Sequence, residues 1–275
     1  MMNITAIVPS FNNVQTIYCA AWSLKNQSYT PTNIIQIDDG STDGSCQITE
    51  SLGISINRNA SNKGRGYVRA MAIELCKDEL IAFCDASNYL RVDFLRNGVK
   101  WFDDPQVAAV FGQICQDQPK SLADRWRARH LYKMKEKKSL RYDAVLSTYG
   151  CILRRSAIVR VGNFDHSLRH SEDSELGYRL LAAGYKVVFD PSLHVISCIS
   201  NSVYEVLDRY WRWNAGAHEE TSISAYIKLI WYSIRVLVRR DIRDKDLLSI
   251  PISLVCPHFQ FWKSWSRNIL NRVQK

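Results

Sequence analysis

The sequence predicts an α/β fold: a mostly parallel central sheet flanked by helices, with a helical C-terminal extension. In the first part of the chain, short apolar runs of strand length alternate with stretches of helical spacing, as in βαβ units whose strands are covered on both faces. From about Asn201 the chain turns rich in Trp and Arg and its apolar residues take helical spacing. With 275 residues it can bury a large core, and no hydrophilic linker divides it. The expected organisation is a main domain, 1–198, with halves 1–117 and 118–198, followed by an extension, 199–275.

The elements follow in order. "ITAIVPS" is a strand ending at Pro9 and Ser10, and "NVQTIYCAAWSLKNQ" is helical, with Val14, Ile17, Ala20, Ala21 and Leu24 on one stripe. "NIIQIDDGSTDGS" is a strand entering a Gly/Ser/Asp turn, "GYVRAMAIELCKD" a helix and "ELIAFCDASN" a strand. "AAVFGQIC" is another strand; "SELGYRLLAAGY" is a short helix stopped near Gly184, and "KVVFDP" a strand ending in Asp-Pro. Ligands of such sheets bind beyond the carboxyl ends of the strands. That rule gathers Pro9 to Asn12, Asp38 to Asp43 and Asp85 to Asn88 at one edge.

The formal charge is +9, and it is unevenly spread. Gln118 to Arg141 holds nine basic and two acidic residues, and Ile199 to Lys275 twelve against seven. The first run could attract a lipid phosphate, an anionic bilayer or an acidic glycan, although charge runs are usually solvated helix faces. No nucleic-acid motif accompanies it, so nucleic acid is not an expected partner. The eight cysteines form no C-x-x-C pair or Cys/His cluster, which speaks against zinc and a disulfide framework and for a reducing cytoplasm. "MMNITAIVPSFNN" has no basic segment and reads as a first strand, not a signal peptide. No transmembrane helix is expected. Ile223, Ile227, Ile230, Ile234 and Leu237 recur at helical spacing with Lys228, Arg235 and Arg239 off the stripe; such a helix either packs on the domain or lies on an anionic membrane.

Several stretches carry groups suited to chemistry. "IDDGSTDG" presents Asp38, Asp39 and Asp43 around Gly40, either as a capped turn or as an acidic cluster for base or ribose donors. "NASNKGRGYVRAM" sets Lys63, Arg65 and Arg69 around two glycines at a helix start, where basic groups and free N–H groups suit a pyrophosphate. "HSEDSELGYR" puts Glu172 and Asp173 at a helix N-terminus, as caps or as a general base, with Glu175 and Arg179 four residues apart.

In order and content, "IVPSFNN", "IDDGSTDG", "NKGRGYVRAM", "FCDAS", "YGCILRRSAIVRVGNFD" and "EDSELGYRLLAAGYKVVFDP" resemble the family 2 glycosyltransferases, inverting enzymes of the GT-A fold, from about Ile4 to Pro191. The resemblance implies a nucleotide-sugar donor, most commonly a UDP-sugar. Asp39 would recognise the base, Pro9 and Ser10 would floor the nucleotide pocket, and Asp85, Ser87 and Arg69 would lie near ribose and diphosphate. Asp173 would be the catalytic base, with Glu172 beside it on the acceptor side. Arg212-Trp213, in "DRYWRWNAGAH", resembles the Q-x-x-R-W element of processive members, but Arg209 stands where Gln would. Transfer of one sugar to a glycan or lipid-linked acceptor is therefore expected, not polymerisation. The cytoplasmic face of the membrane is the expected place.

One departure concerns the metal. The family usually has Asp-x-Asp, and this chain has Asp85-Ala86-Ser87. Either Asp85 and the diphosphate hold Mg²⁺ or Mn²⁺ with help from Ser87 or water, or Lys63, Arg65 or Arg69 replaces the metal, or the protein binds nucleotide-sugar or glycan without turnover. A weakly held metal is the favoured expectation.

Overall fold

The computed structural model describes residues 2–214 and 222–273, with side chains as far as residue 267. Two compact units form, one from Met1–Asp117 and Lys137–Ile199, the other from Gln118–Glu136 and Ser200–Lys275.

The first unit opens with β1 (Ile4–Ser10), α1 (Ile17–Lys25), β2 (Asn33–Asp38), α2 (Ser45–Ser51), β3 (Ser55–Arg58), α3 (Arg65–Leu75) and β4 (Leu80–Cys84). It continues through β5 (Asn88–Leu90), α4 (Phe94–Val99) and β6 (Val107–Cys115). After α5 (Leu122–His130) of the other unit come β7 (Gly150–Arg154), α6 (Arg155–Arg160), α7 (Glu172–Ala182) and β8 (Lys186–Ser197). The strands form one sheet in the order β3-β2-β1-β4-β7-β6-β8-β5. β1 is parallel to β2 and β4, β2 to β3, and β6 to β8. β7 runs antiparallel between β4 and β6, and β5 antiparallel to β8.

Both faces of the sheet are covered, so its central strands are continuously apolar. All five residues of β4 are buried. Ile7, Ile37, Ile81 and Phe83 pack on one side with Val68, Ile73, Leu176 and Leu180 of α3 and α7. Ile4, Ala6, Val8 and Ala82 pack on the other with Ile17, Leu24, Phe94 and Leu95 of α1 and α4. Because β1, β2 and β4 share a direction, the chain leaves them at Ser10, Asp38 and Cys84 along one sheet edge. α7 ends at a Gly184 with φ +82°, and the N–H groups of Gly184 and Tyr185 return to Leu181 and Leu180.

The second unit contains α5, α8 (Val203–Asn214), α9 (Ile223–Tyr232), a π-helical stretch (Ser233–Val238), α10 (Arg239–Arg243) and α11 (Ile250–Val273). Ser121 caps α5, its hydroxyl accepting from the Asp124 N–H at 3.0 Å. Trp126 is fully buried and donates to Ser253 Oγ at 2.9 Å.

Four of the nine basic residues of 118–141 are ion-paired inside this unit. Arg129 pairs with Asp241, Asp244 and Asp246, Arg125 with Asp246, Lys135 with Asp244, and Arg127 with Asp124. Their carboxylates lie more than a hundred positions downstream, Asp124 excepted, so a local charge count could not register them. For the same reason residues 118–136 group with the helical extension and not with 1–198. Ala215 to His218, quoted above after Arg212-Trp213, lie outside the described residues.

Candidate active site

The turn after β2 is built to hold two carboxylates in different roles. Gly40 takes φ +81°, and a Cβ there would stand 3.0 Å from the Ser61 backbone. Asp38 is buried and structural: it accepts from Ser41 N–H at 2.9 Å, from the Ser41 hydroxyl and from Ser10 Oγ at 3.2 Å, with Arg58 Nε at 3.3 Å. Asp39 points the other way. Its Oδ1 accepts from Asn59 Nδ2 at 2.8 Å and Lys63 N–H at 2.9 Å, its Oδ2 from Gly64 N–H at 2.8 Å. The first loop is tied to the same turn, Asn12 N–H donating to Ser41 Oγ at 2.8 Å and Thr42 N–H to Asn12 Oδ1 at 2.9 Å.

α3 brings Arg69 beneath these loops. Its Nη2 lies 2.8 Å from Asp85 Oδ1, at the end of β4, and its Nη1 bonds Glu172 Oε1, at the start of α7. One buried guanidinium therefore links the donor-side carboxylate of the sequence reading to the acidic pair. Burial alone would weaken the Arg69 charge; Glu172 and Asp85 more than offset this and raise its pKa. Burial likewise pushes the Glu172 carboxyl up, against the lowering effect of Arg69. Asp173, half-buried, accepts from Ser174 N–H at 2.8 Å through Oδ1. Its Oδ2 is less engaged, with Thr148 N–H at 3.3 Å and Thr148 Oγ1 at 3.5 Å.

Gly66 explains how α3 and the loop before α7 come so close. Its N–H donates to Leu168 O at 3.0 Å, and a Cβ there would stand 2.1 Å from Asp165 O. Among the residues following β7, Arg179 pairs with Glu175 at 2.6 Å, the i,i+4 pair read from the sequence.

Pro9, Ser10, Asp39, Arg69, Asp85 and Ser87 all line one open cleft of about 300 Å³. Arg65 lines it too, whereas Lys63 contributes its backbone N–H to Asp39. Phe11, within the expected Pro9 to Asn12 loop, lines it as well, while sequence reasoning missed Asn13, Asn62 and Arg169 on its walls. Phe11 and Asn13 sit inside the quoted "IVPSFNN"; Arg169, whose Nη1 reaches Asn62 Oδ1 at 3.0 Å, has no motif around it. Arg212 and Trp213 belong to the helical unit, Arg212 paired with Asp208 at 3.0 Å and the Trp213 ring 6.0 Å from that of Tyr132.

The donor atoms for a metal are few. Among the described residues no three His, Cys, Asp or Glu side chains converge as a metal site. Asp85 has one oxygen on Arg69, no donor among the described residues reaches its Oδ2, and Ser87 lines the same cleft. One carboxylate oxygen and a hydroxyl suit a hard cation that draws its remaining ligands from substrate phosphates and water.

A family model described as "Glycosyl transferase family 2" matches residues 5–162. The O-antigen chain rhamnosyltransferase RfbN of Salmonella typhimurium is 28% identical over 201 residues, covering 68% of this chain and 64% of that protein. The chain spans between 41% and 64% of the length of the first curated relatives it matches. Among solved structures, the mannosyltransferase PcManGT from Pyrobaculum calidifontis in complex with GDP-Man and Mn²⁺ superposes with a TM-score of 0.60 at 16% identity, over 93% of this chain and 74% of that one. S. aureus TarS 1-349 in complex with UDP superposes with a TM-score of 0.56 at 16% identity, over 100% of this chain and 92% of that one.

Proposed function

The chain belongs to glycosyl transferase family 2 and has the GT-A fold, and from that premise we propose that it transfers one sugar, with inversion, from a nucleotide-sugar to a glycan or lipid-linked hydroxyl. The observation that carries the reading is the single cleft lined from β1, β2, α3 and β4 and linked through Arg69 to Glu172 beside Asp173. A UDP-sugar is the favoured donor, the TarS neighbour having been solved with UDP.

In this reading the nucleotide base lies against Asp39, whose carboxylate is fixed by Asn59, Lys63 and Gly64 and keeps acceptor capacity for a base N–H. Pro9 and Ser10 floor the pocket, and the diphosphate extends towards Asp85, Ser87 and Arg65. Asp173 takes the acceptor hydroxyl proton at Oδ2, the freer of its two oxygens. The acceptor oxygen then bonds to the anomeric carbon as the bond to the diphosphate oxygen breaks, and the electron pair leaves with the diphosphate. A bound Mg²⁺ or Mn²⁺, held by Asp85 with Ser87 or water, would supply positive charge against the departing diphosphate. Arg69 keeps Asp85 and Glu172 in register and lines the cleft between them. Glu172 is assigned to the acceptor side; Arg212 and Trp213, expected there from the sequence, belong to the helical unit. Surface or lipid-linked acceptors would be met at the cytoplasmic face of a membrane.

Donor turnover by the purified protein tests this. Asp173→Asn is expected to lower product formation by about 10²- to 10⁴-fold while UDP binding stays unchanged. Turnover equal to wild type would remove Asp173 as base. If wild type binds UDP and turns over no donor, the protein is a nucleotide-sugar-binding homologue. Chelation is expected to slow transfer and excess Mn²⁺ to restore it; an unaltered rate would transfer the charge role to Arg65 and Arg69.

A further inference from the structure

We propose that the outward face of the helix running from Ile223 to Arg243 docks on an anionic lipid bilayer. This helix carries apolar side chains on its outward side as well as on the inward side that packs on its unit. Its inward line is Ser233, Leu237 and Asp241, all buried, with the Asp241 carboxylate bonded to Ser253 and Arg129. Its outward residues include Ile223, Ile227, Trp231 and Ile234, exposed by 76%, 59%, 57% and 52%. α9 has no buried residue at all. A ten-residue helix of this kind is marginal in water by itself, so a partner for the apolar face is expected.

Charge identifies the partner. The helical unit carries 18 basic and nine acidic residues, so it holds the whole net charge of +9 and the other unit is neutral. Its acidic residues Asp124, Asp241, Asp244 and Asp246 are taken up by ion pairs within the unit. Lys228, Arg235 and Arg239 stand exposed beside the apolar face, and no ion pair to them occurs among the described residues. The Arg235 guanidinium lies over the Trp231 ring at 4.0 Å, an amphipathic pair suited to the headgroup level. A second copy meeting this face about a two-fold axis would bring these cations against their own counterparts. An anionic bilayer accepts both the apolar side chains and the cations. Docking of this face does not depend on the transfer reaction proposed above.

The test is flotation of the full chain with phosphatidylcholine vesicles, with and without phosphatidylglycerol. Wild type is expected to float with phosphatidylglycerol vesicles, less so as salt rises. Ile227→Asp should lower partitioning by about tenfold or more. Arg235→Gln with Arg239→Gln should lower it by about thirtyfold towards the phosphatidylcholine value. All these positions are exposed, so circular dichroism and UDP binding should match wild type. Failure of wild type to float, or equal binding to both vesicles unaffected by the variants, would overturn the proposal. So would a concentration-dependent dimer in sedimentation that Ile227→Asp dissolves, which would make a second copy the occupant. Donor turnover, assayed separately, reports on the transfer reaction alone.

Discussion

Arg69 is the residue on which two halves of the candidate site depend. With one face on Asp85 and the other on Glu172, its loss would leave a buried carboxylate without a counter-charge, which typically costs about 3–5 kcal/mol. Arg69→Met is therefore expected to lower the urea midpoint sharply, and Arg69→Met with Glu172→Gln to recover part of the loss. Ser87 offers a change in the opposite direction. Ser87→Asp adds a hard carboxylate ligand beside Asp85 and should lower the Mn²⁺ concentration for half-maximal UDP binding by about tenfold or more, read by titration. That Pro9, Ser10, Asp39, Arg69, Asp85 and Ser87 line one cleft was legible because each sits in a short motif at a strand end or helix start. The Arg69–Glu172 bridge was not, since its partners stand 103 positions apart and nothing local marks either as the other's partner. Arg169 was illegible for a related reason: a solitary Arg in an irregular loop has no periodicity to betray the wall it lines.

Among the elements, α3 owes its position to a missing side chain. Gly66→Ala would drive a methyl into the Asp165 and Leu168 carbonyls and force the loop before α7 away. A loss of about 2 kcal/mol or more in stability is expected, together with weaker UDP binding; Gly53→Ala, where nothing lies within 4 Å but φ is +69°, should also lower stability through backbone strain while leaving UDP binding unchanged, and so separates the two effects. The α5–α10 ion-pair network sets a pH window. Burial would raise the Asp246 pKa, but bonds from Arg125, Arg129 and Ser249 hold it well below the usual carboxylate range, and Asp244 is lowered by Lys135 and Arg129 against the same burial. Groups lowered in the fold contribute stability above their unfolded pKa, about 3.9, and lose it as pH falls towards the folded value. The melting temperature should drop below about pH 5, and Asp246→Asn should flatten that drop while lowering the neutral value. The apolar strands β1, β2, β4 and β6 were readable from composition. β7 was not read as a strand, and its antiparallel pairing is decided by the long route the chain takes between β6 and β7.

At the scale of the molecule, the chain joins its two units at three points, after Asp117, Glu136 and Ile199. A chain ending at Ile199 would keep residues 118–136 but remove Ser253, Asp241, Asp244 and Asp246, baring Trp126, Arg125 and Arg129. Such a chain is expected to aggregate, whereas one that also replaces 118–136 by a short Gly/Ser linker should be monomeric by size exclusion and bind UDP. The sequence showed the +9 charge but not where it resides, since only folding reveals that one unit is neutral and the other carries all of it. The same chain path has a consequence during synthesis. α5 leaves the ribosome roughly a hundred residues before the carboxylates that neutralise it, a delay of roughly 5 to 20 s at about 5–20 residues per second. For that interval a cationic segment with an uncovered tryptophan stands open to the ribosome's own RNA and to other nascent chains, so raised chaperone levels are expected to increase the soluble yield of the full chain.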